Sequence, residues 1–348
     1  MMINTSGALK NYWYAAAQSK QIQKDKPFRV QIFDLPIVIW RTKNGLTALL
    51  DRCAHRNAPL SYGKLLRENI ICPYHGWTFN PKGECVNIPS EGETKSAVIS
   101  NKKIESFPIR EQDDLIWLWM GRETEVDKEP FQMPIVKRKG WHYYYMETMF
   151  ENNVTDLVEN FMDVPHTVFV HKGWFRDKKQ IKVPMLVERT EDSVLVTYQQ
   201  ENDSIGAFNW LVNPKGLPMK HTDNFYMPNN TKVDYIFGEE ERGFIISSTC
   251  TPIEAFKTRV YTLICYKFGW MTPLAKLFLP AYTRKVIEQD VWIMDIQGKN
   301  LQTFETPVYK STQADTLHLY IESLRNWAQK GGENAQPKPI KKECEFWI

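Results

Sequence analysis

The sequence predicts an α+β chain in two parts: a β-rich domain over roughly the first 120 residues, then a domain mixing strands with long helices. Three observations carry this expectation. The length, 348 residues, is too great for one small module and suits two domains at the usual ~100–200 residues each. The first part reads as short apolar runs broken by turn residues, the pattern of strands and hairpins. Beyond a polar stretch at 121–134, apolar residues begin to recur at helical spacing.

Taken in order, residues 28–40 are rich in Val and Ile and read as strand. Asn44-Gly45 is a hairpin-type turn, after which 46–50 resumes the apolar run. Pro81-Lys82-Gly83 marks another turn, and 115–119 is a further buried strand, with Trp117 and Trp119 on one face in the core. The stretch 121–134 holds prolines and charges and reads as the linker. A helix is expected over 150–162, where Phe150, Val154, Leu157, Val158, Phe161 and Met162 share one face. Strands follow near 193–199, 244–251 and 259–266, then helices over about 282–301 and 313–330. The end, 331–348, is rich in Gly, Pro and Lys and reads as a flexible tail. The expected domains are therefore 11–122 and 141–330.

Composition excludes several classes of function. Lys+Arg number 44 against 41 Asp+Glu, a net charge of +3, with no basic stripe to suggest nucleic acid. No apolar run approaches the roughly 20 residues of a membrane span, and the N-terminus has no apolar core of a secretory signal. Six cysteines in this length make no disulfide framework, so a cytoplasmic protein with free or metal-bound thiols is expected.

Two constellations carry chemistry. The first is Cys53-Ala54-His55 followed by Cys72-Pro73-Tyr74-His75. Two thiolates and two imidazoles suit a structural zinc, or a [2Fe–2S] cluster in which two His replace two Cys on one iron. Each His shares a short loop with a Cys, and Pro73 opposes a helix there, which favours the cluster. Four residues sharing no metal is the bland alternative. The strings CAHRNAPLSYG and CPYHGWTFNPKGECVNIPS resemble the Rieske iron–sulfur domain of ring-hydroxylating and demethylating oxygenases. That resemblance implies that Cys53 and Cys72 bind one iron of the [2Fe–2S] cluster, and His55 and His75 the other.

The second constellation begins on the expected helix, where Asn153, Asp156, Asn160 and Asp163 recur along one face, with His166 and His171 beyond Pro165. Five residues turn an ideal helix by about 140°, so the two imidazoles cannot point the same way from a regular one. Pro165 gives a reason for irregularity. Taken alone, the pair reads more readily as solvated or core histidines than as ligands. The run Glu159 to His171 resembles the mononuclear-iron motif of Rieske oxygenases, nearest the vanillate-demethylase and dicamba-monooxygenase type. Non-haem Fe(II) oxygenases use two His and one carboxylate, so a third ligand must come from elsewhere. On the helix around Ile287, Asp290 lies about 300° on, amid Val291 at about 40° and Met294 at about 340°. A lone carboxylate on that apolar face is costly unless paired or metal-bound. Glu288 and Asp295 fall beside Lys299 on a solvated face. Ile-Glu-Gln-Asp290 also matches the family's third-ligand string, so both routes select Asp290, with a structural ion pair or cap as the alternative.

The remaining residues read as structural: His142 in an aromatic strand, His221 in a polar loop, His318 on the last helix, and Cys85, Cys250, Cys265 and Cys344 as small hydrophobes. The resemblance implies an all-β Rieske domain followed by a helix-grip catalytic domain. It implies O₂ activation at mononuclear Fe(II), with NAD(P)H electrons arriving through a separate reductase or ferredoxin, since no G-x-G-x-x-G opens a helix here. Hydroxylation or demethylation of a small organic substrate is expected. The alternatives are a cis-dihydrodiol dioxygenase and a pure electron carrier. Local strings are also similar to alkaloid-tailoring and arylamine-oxidising members. The family further implies a head-to-tail homotrimer, in which Asp163 links His166 to His75 of the adjacent chain.

Overall fold

The computed structural model describes residues 7–92, 101–121, 126, 128–174, 181–199, 212–238, 242–304, 307–332 and 335–348. They form two compact units, one of residues 10–132 and one of 133–348 with 7–9. The division lies within the stretch read as a linker, of which 122–125 and 127 fall outside the described residues.

The first unit is built from β1 (Trp13–Gln18), β2 (Phe28–Ile32), β3 (Leu35–Thr42), β4 (Gly45–Leu50), β5 (Lys64–Leu66), β6 (Asn69–Ile71), β7 (Thr78–Phe79), β8 (Cys85–Asn87), β9 (Ile109–Gln112) and β10 (Leu115–Trp119). They make antiparallel sheets in the orders β1-β10-β9, β2-β3-β4 and β5-β6-β7-β8. The run expected as one strand over 28–40 is instead a hairpin. Phe33 and Asp34 both take positive φ, 54° and 62°, the two-residue turn whose twist matches its strands. No Gly announces it, because Asp tolerates that region and Phe33 is held by burial against Tyr14, with ring centroids 4.9 Å apart. The next loop is Lys43-Asn44, one residue before the expected turn, with Thr42 opposite Gly45. β10 is buried on both faces, Trp117 and Trp119 included.

The second unit contains β11 (His142–Phe150), α1 (Val154–Met162), α2 (Thr167–Val170), β12 (Lys182–Arg189), β13 (Ser193–Tyr198), β14 (Met219–Tyr226), β15 (Asn230–Phe237), β16 (Arg242–Glu254), β17 (Lys257–Lys267), α3 (Thr272–Thr303), α4 (Thr316–Gln329) and β18 (Ile340–Trp347). Its strands form one eight-stranded antiparallel sheet, β11-β17-β16-β15-β14-β13-β12-β18. Leu157, Val158, Ile321 and Leu324 of α1 and α4 share a core with Val187, Val196 and Phe225 of the sheet. Successive strands bring side chains of one face into rows. One row is Asp223, Val233, Ile246 and Ile264; its neighbours are Phe225, Thr231, Ser248, Thr262 and His221, Tyr235, Phe244, Tyr266.

Four sequence readings are corrected here. Phe150 ends β11 and does not begin the helix, because Asn153 caps α1 by accepting from the Thr155 and Asp156 N–H groups at 3.0 Å. α3 starts at Thr272, well before 282, and carries Pro280 inside it. Proline removes one N–H from a helix interior, a loss that this long packed helix tolerates. His221 lies on β14, buried, not in a loop. The expected flexible tail is a strand over Ile340–Trp347, paired along β12. Its Lys and Glu residues are the charges natural edge strands carry, while Phe346 turns into the core.

α3 is fixed to the segment before α1 by close approach. A Cβ on Gly298 would stand 2.1 Å from the Glu151 carbonyl oxygen, so only glycine fits there. Asn152 donates to Met294 O at 2.9 Å, and the Glu151 N–H to Asp295 Oδ1 at 2.9 Å. Asp295, read as solvated, is therefore a partly buried tie between α3 and the loop leading into α1.

Candidate functional site

The first site is made by two loops with the same backbone wiring. The Cys53 N–H donates to Ala58 O at 2.9 Å, and the Cys53 carbonyl accepts from the Asn57 N–H at 3.0 Å. Cys72 repeats this with Trp77 O at 2.8 Å and Gly76 N at 3.1 Å. Asn57 and Gly76, four residues after each Cys, both take positive φ, which closes each loop tightly. Gly63 lets the chain between the loops press on β6, since a Cβ there would stand 2.0 Å from Ile71 O.

This wiring sorts the side chains by type. Cys53 and Cys72 are buried, and the Cys53 thiol is pushed up to about 11 by burial and by the neighbouring Cys72 thiol. His55 and His75 face each other with ring centroids 4.6 Å apart, and His55 stacks flat on Trp77 at 4.6 Å. His55 Nδ1 is buried with no hydrogen-bond partner, while His75 is exposed. Two thiols on one side and two imidazoles on the other are the donors that a cluster with one Cys-bound and one His-bound iron requires.

The second site lies in the second unit. α1 ends at Asp163, and the chain runs through Val164-Pro165 into the single turn of α2, which places His166 at one end and His171 at the other. The break is what lets both imidazoles face one point; their centroids are 5.2 Å apart. Asp290 comes from the middle of α3. Its Oδ1 lies 3.1 Å from His171 Nε2 and 3.5 Å from His166 Nε2, yet it has no well-aligned hydrogen bond. Three donor atoms converging on one point are the arrangement of a metal triad, and these three residues stand out as such among the described residues.

The electrostatics agree. Burial opposes charge on His166, but Asp163 and Asp290 outweigh it and raise its pKa to about 9. Burial likewise opposes the Asp290 carboxylate, and the two histidines outweigh it and lower its pKa. Around the triad lies a cavity of about 120 Å³. Its floor is part of the sheet rows described above, the row from Asp223 to Ile264 with Thr231, Ser248, Thr262, Tyr235 and Phe244; Phe161, Val286 and Ile287 border it from the helices. Asn160 and Asp163 border it too, and Asn160 Oδ1 has no hydrogen-bond partner.

Residues 12–108 match the model of the Rieske [2Fe–2S] domain, and residues 150–325, half the chain, match that of the vanillate O-demethylase oxygenase C-terminal domain. The chain belongs to this family of Rieske oxygenases. Among family relatives it is 30% identical to the 4beta-methylsterol monooxygenase of Methylococcus capsulatus, over 97% of this chain and 94% of that one. It is 34% identical to the dicamba O-demethylase oxygenase component of Stenotrophomonas maltophilia over 47% of this chain and 48% of that one. It is also 34% identical to the chlorophyllide a oxygenase of Chlamydomonas reinhardtii, but there the match spans only 25% of the relative. The fold is that of dicamba monooxygenase bound to dicamba, with a TM-score of 0.79 at 20% identity, covering 94% of this chain and 100% of that one. Pseudomonas putida CBB5 NdmA with caffeine superposes equally well, 0.79 at 19%, covering 95% and 96%.

In this Rieske oxygenase some neighbours of the sites were invisible to motif reading. Gln289 Oε1 lies 2.8 Å from His171 Nδ1; an amide oxygen can only accept, so Nδ1 carries the proton and Nε2 is left to face Asp290. The one signal in the sequence was a polar amide immediately before the buried Asp290. No motif points to Asp223 or Tyr198, and His221 reads as a loop residue, because their burial depends on strand partners far away in the chain. Glu288, by contrast, is exposed and paired with Lys285 as its helical position implied.

Proposed function

We propose that this chain is the oxygenase component of a monooxygenase system that hydroxylates or oxidatively demethylates a small organic substrate. The observation that carries the reading is the convergence of His166, His171 and Asp290 beside a mostly apolar cavity. Cys53, Cys72, His55 and His75 would hold the [2Fe–2S] cluster, and the triad would hold Fe(II). Bound there, the iron would supply O₂ activation, for which two His and one carboxylate leave positions open. The chain's own part is preparation. Gln289 fixes the proton of His171 on Nδ1, and Asp163 Oδ2 accepts from the His166 backbone N–H at 3.2 Å while lying 3.3 Å from that ring's Nδ1. The apolar lining holds the substrate body and keeps water from the reacting atoms.

Electrons would come from NAD(P)H through a separate reductase or ferredoxin to the cluster and would leave it through His75, which the single chain exposes. Asp163 is read as a positioning residue between His166 and His75 of the adjacent chain in a head-to-tail homotrimer, a contact type that closes into a ring. No described helix is long and apolar enough to cross a membrane, and six free cysteines suit the reducing cytoplasm. The test is turnover of a substrate panel with a surrogate reductase, NADH and labelled O₂. One labelled atom, in the hydroxylated product or in the formaldehyde that a demethylation releases, supports the monooxygenase reading. Two would make it a dioxygenase, and an absence of any oxygenated product with fully loaded protein would leave an electron carrier.

A further inference from the structure

The cavity holds one carboxylate that the proposed reaction does not use. Asp223 is 2% exposed and borders the cavity from β14. Tyr198 OH donates to its Oδ2 at 2.8 Å, and His221 Nε2 to its Oδ1 at 2.9 Å. His221 is itself clamped between the rings of Tyr198 and Tyr235, each with its centroid 4.4 Å away and nearly parallel. The carboxylate is thus held rigidly by an aromatic stack across neighbouring strands, with one donor on each oxygen. A carboxylate oxygen has two acceptor sites, so each keeps one for a further donor.

The surroundings decide which donor. Val233, Ile246 and Ile264 continue its row across the floor, and the adjacent row offers only hydroxyls, Thr231, Ser248 and Thr262. Among the described residues no Lys or Arg lines the cavity. Asp163 and Asp290 face the two triad histidines, whereas Asp223 pairs with His221 outside the triad and keeps a free acceptor site on each oxygen. The rings of Tyr235 and Phe244 border the same space, and aromatic faces attract cations.

We infer that Asp223 anchors the substrate, and that the substrate is a largely apolar small molecule bearing a protonated amine or another N–H donor, not a carboxylate. This rests on the oxygenase reading of the triad, yet it concerns binding and needs no turnover to be tested. Titration calorimetry on the cluster- and iron-loaded protein at neutral pH, with phenethylamine, phenethyl alcohol and hydrocinnamate as shape-matched probes, reads it directly. The amine should bind at least about tenfold tighter than the acid, and Asp223→Asn should bring the two within about threefold. Asp223→Glu should retain the amine preference. Should the Asn variant lose its cluster absorbance and fold, the wild-type ranking and the Glu variant decide. Acid binding as tight as amine, no measurable amine binding, or an intact preference in a folded Asp223→Asn protein would overturn the inference. Full triad iron without amine preference sinks this inference alone; a triad that takes no iron while the preference persists sinks only the oxygenase reading.

Discussion

His171 reaches its place through a neighbour that its own motif does not contain. Its Nδ1–H is held by Gln289 Oε1 at 2.8 Å, and Gln289 precedes Asp290 on α3, so one helix supplies both a ligand and the brace of another ligand. Partners of this kind are worth about 10–100-fold in metal affinity. Gln289→Leu should weaken iron binding at the triad by that factor while the cluster's visible spectrum stays unchanged; an unchanged iron titration would remove Gln289 from the account. Single residues were unevenly legible. Asp290 could be read because a carboxylate on an apolar helix face needs a partner, and it does lie buried against two imidazoles. The His166–His171 pair could not be read from spacing alone, since its geometry depends on how the chain breaks at Asp163-Val164-Pro165.

α1 and α4 pack with their acidic groups close together, and this sets a pH dependence. Burial raises the Glu159 carboxyl to about 7, with Asp156 and Glu322 adding to it and Arg325 only partly offsetting them. The folded state therefore prefers protonated Glu159. The associated stability is present below the ordinary value of 4.5 and is lost as pH rises through about 7. Glu159→Gln should raise the thermal midpoint at pH above about 7 and leave it unchanged below about 4.5; equal midpoints at both ends would contradict the assignment. The elements themselves were legible where a local pattern sufficed, as for β10, whose apolar run is buried throughout. They were not where tertiary contacts overruled it. The Phe33-Asp34 turn relies on a buried ring to hold a conformation that Phe rarely adopts. The Lys- and Glu-rich end looked disordered because an edge strand exposes charge, and only pairing with β12 reveals it.

At the scale of the whole molecule, the proposal joins two metal sites on separate units through assembly. Analytical ultracentrifugation should find a homotrimer. Asp163→Asn should keep the trimer and both metals while slowing electron transfer from cluster to triad in stopped-flow reduction. A fully active monomer, or normal transfer in that variant, would contradict the proposal. The measurement closest to the central claim is the ratio of iron to inorganic sulfide in the purified protein and in Asp290→Ala. The account predicts about three irons and about two sulfides per chain, falling to about two and about two in the variant, with the cluster spectrum intact. Zinc in place of iron and sulfide, or an iron content that Asp290→Ala leaves unchanged, would contradict the assignment of His166, His171 and Asp290 as the mononuclear site.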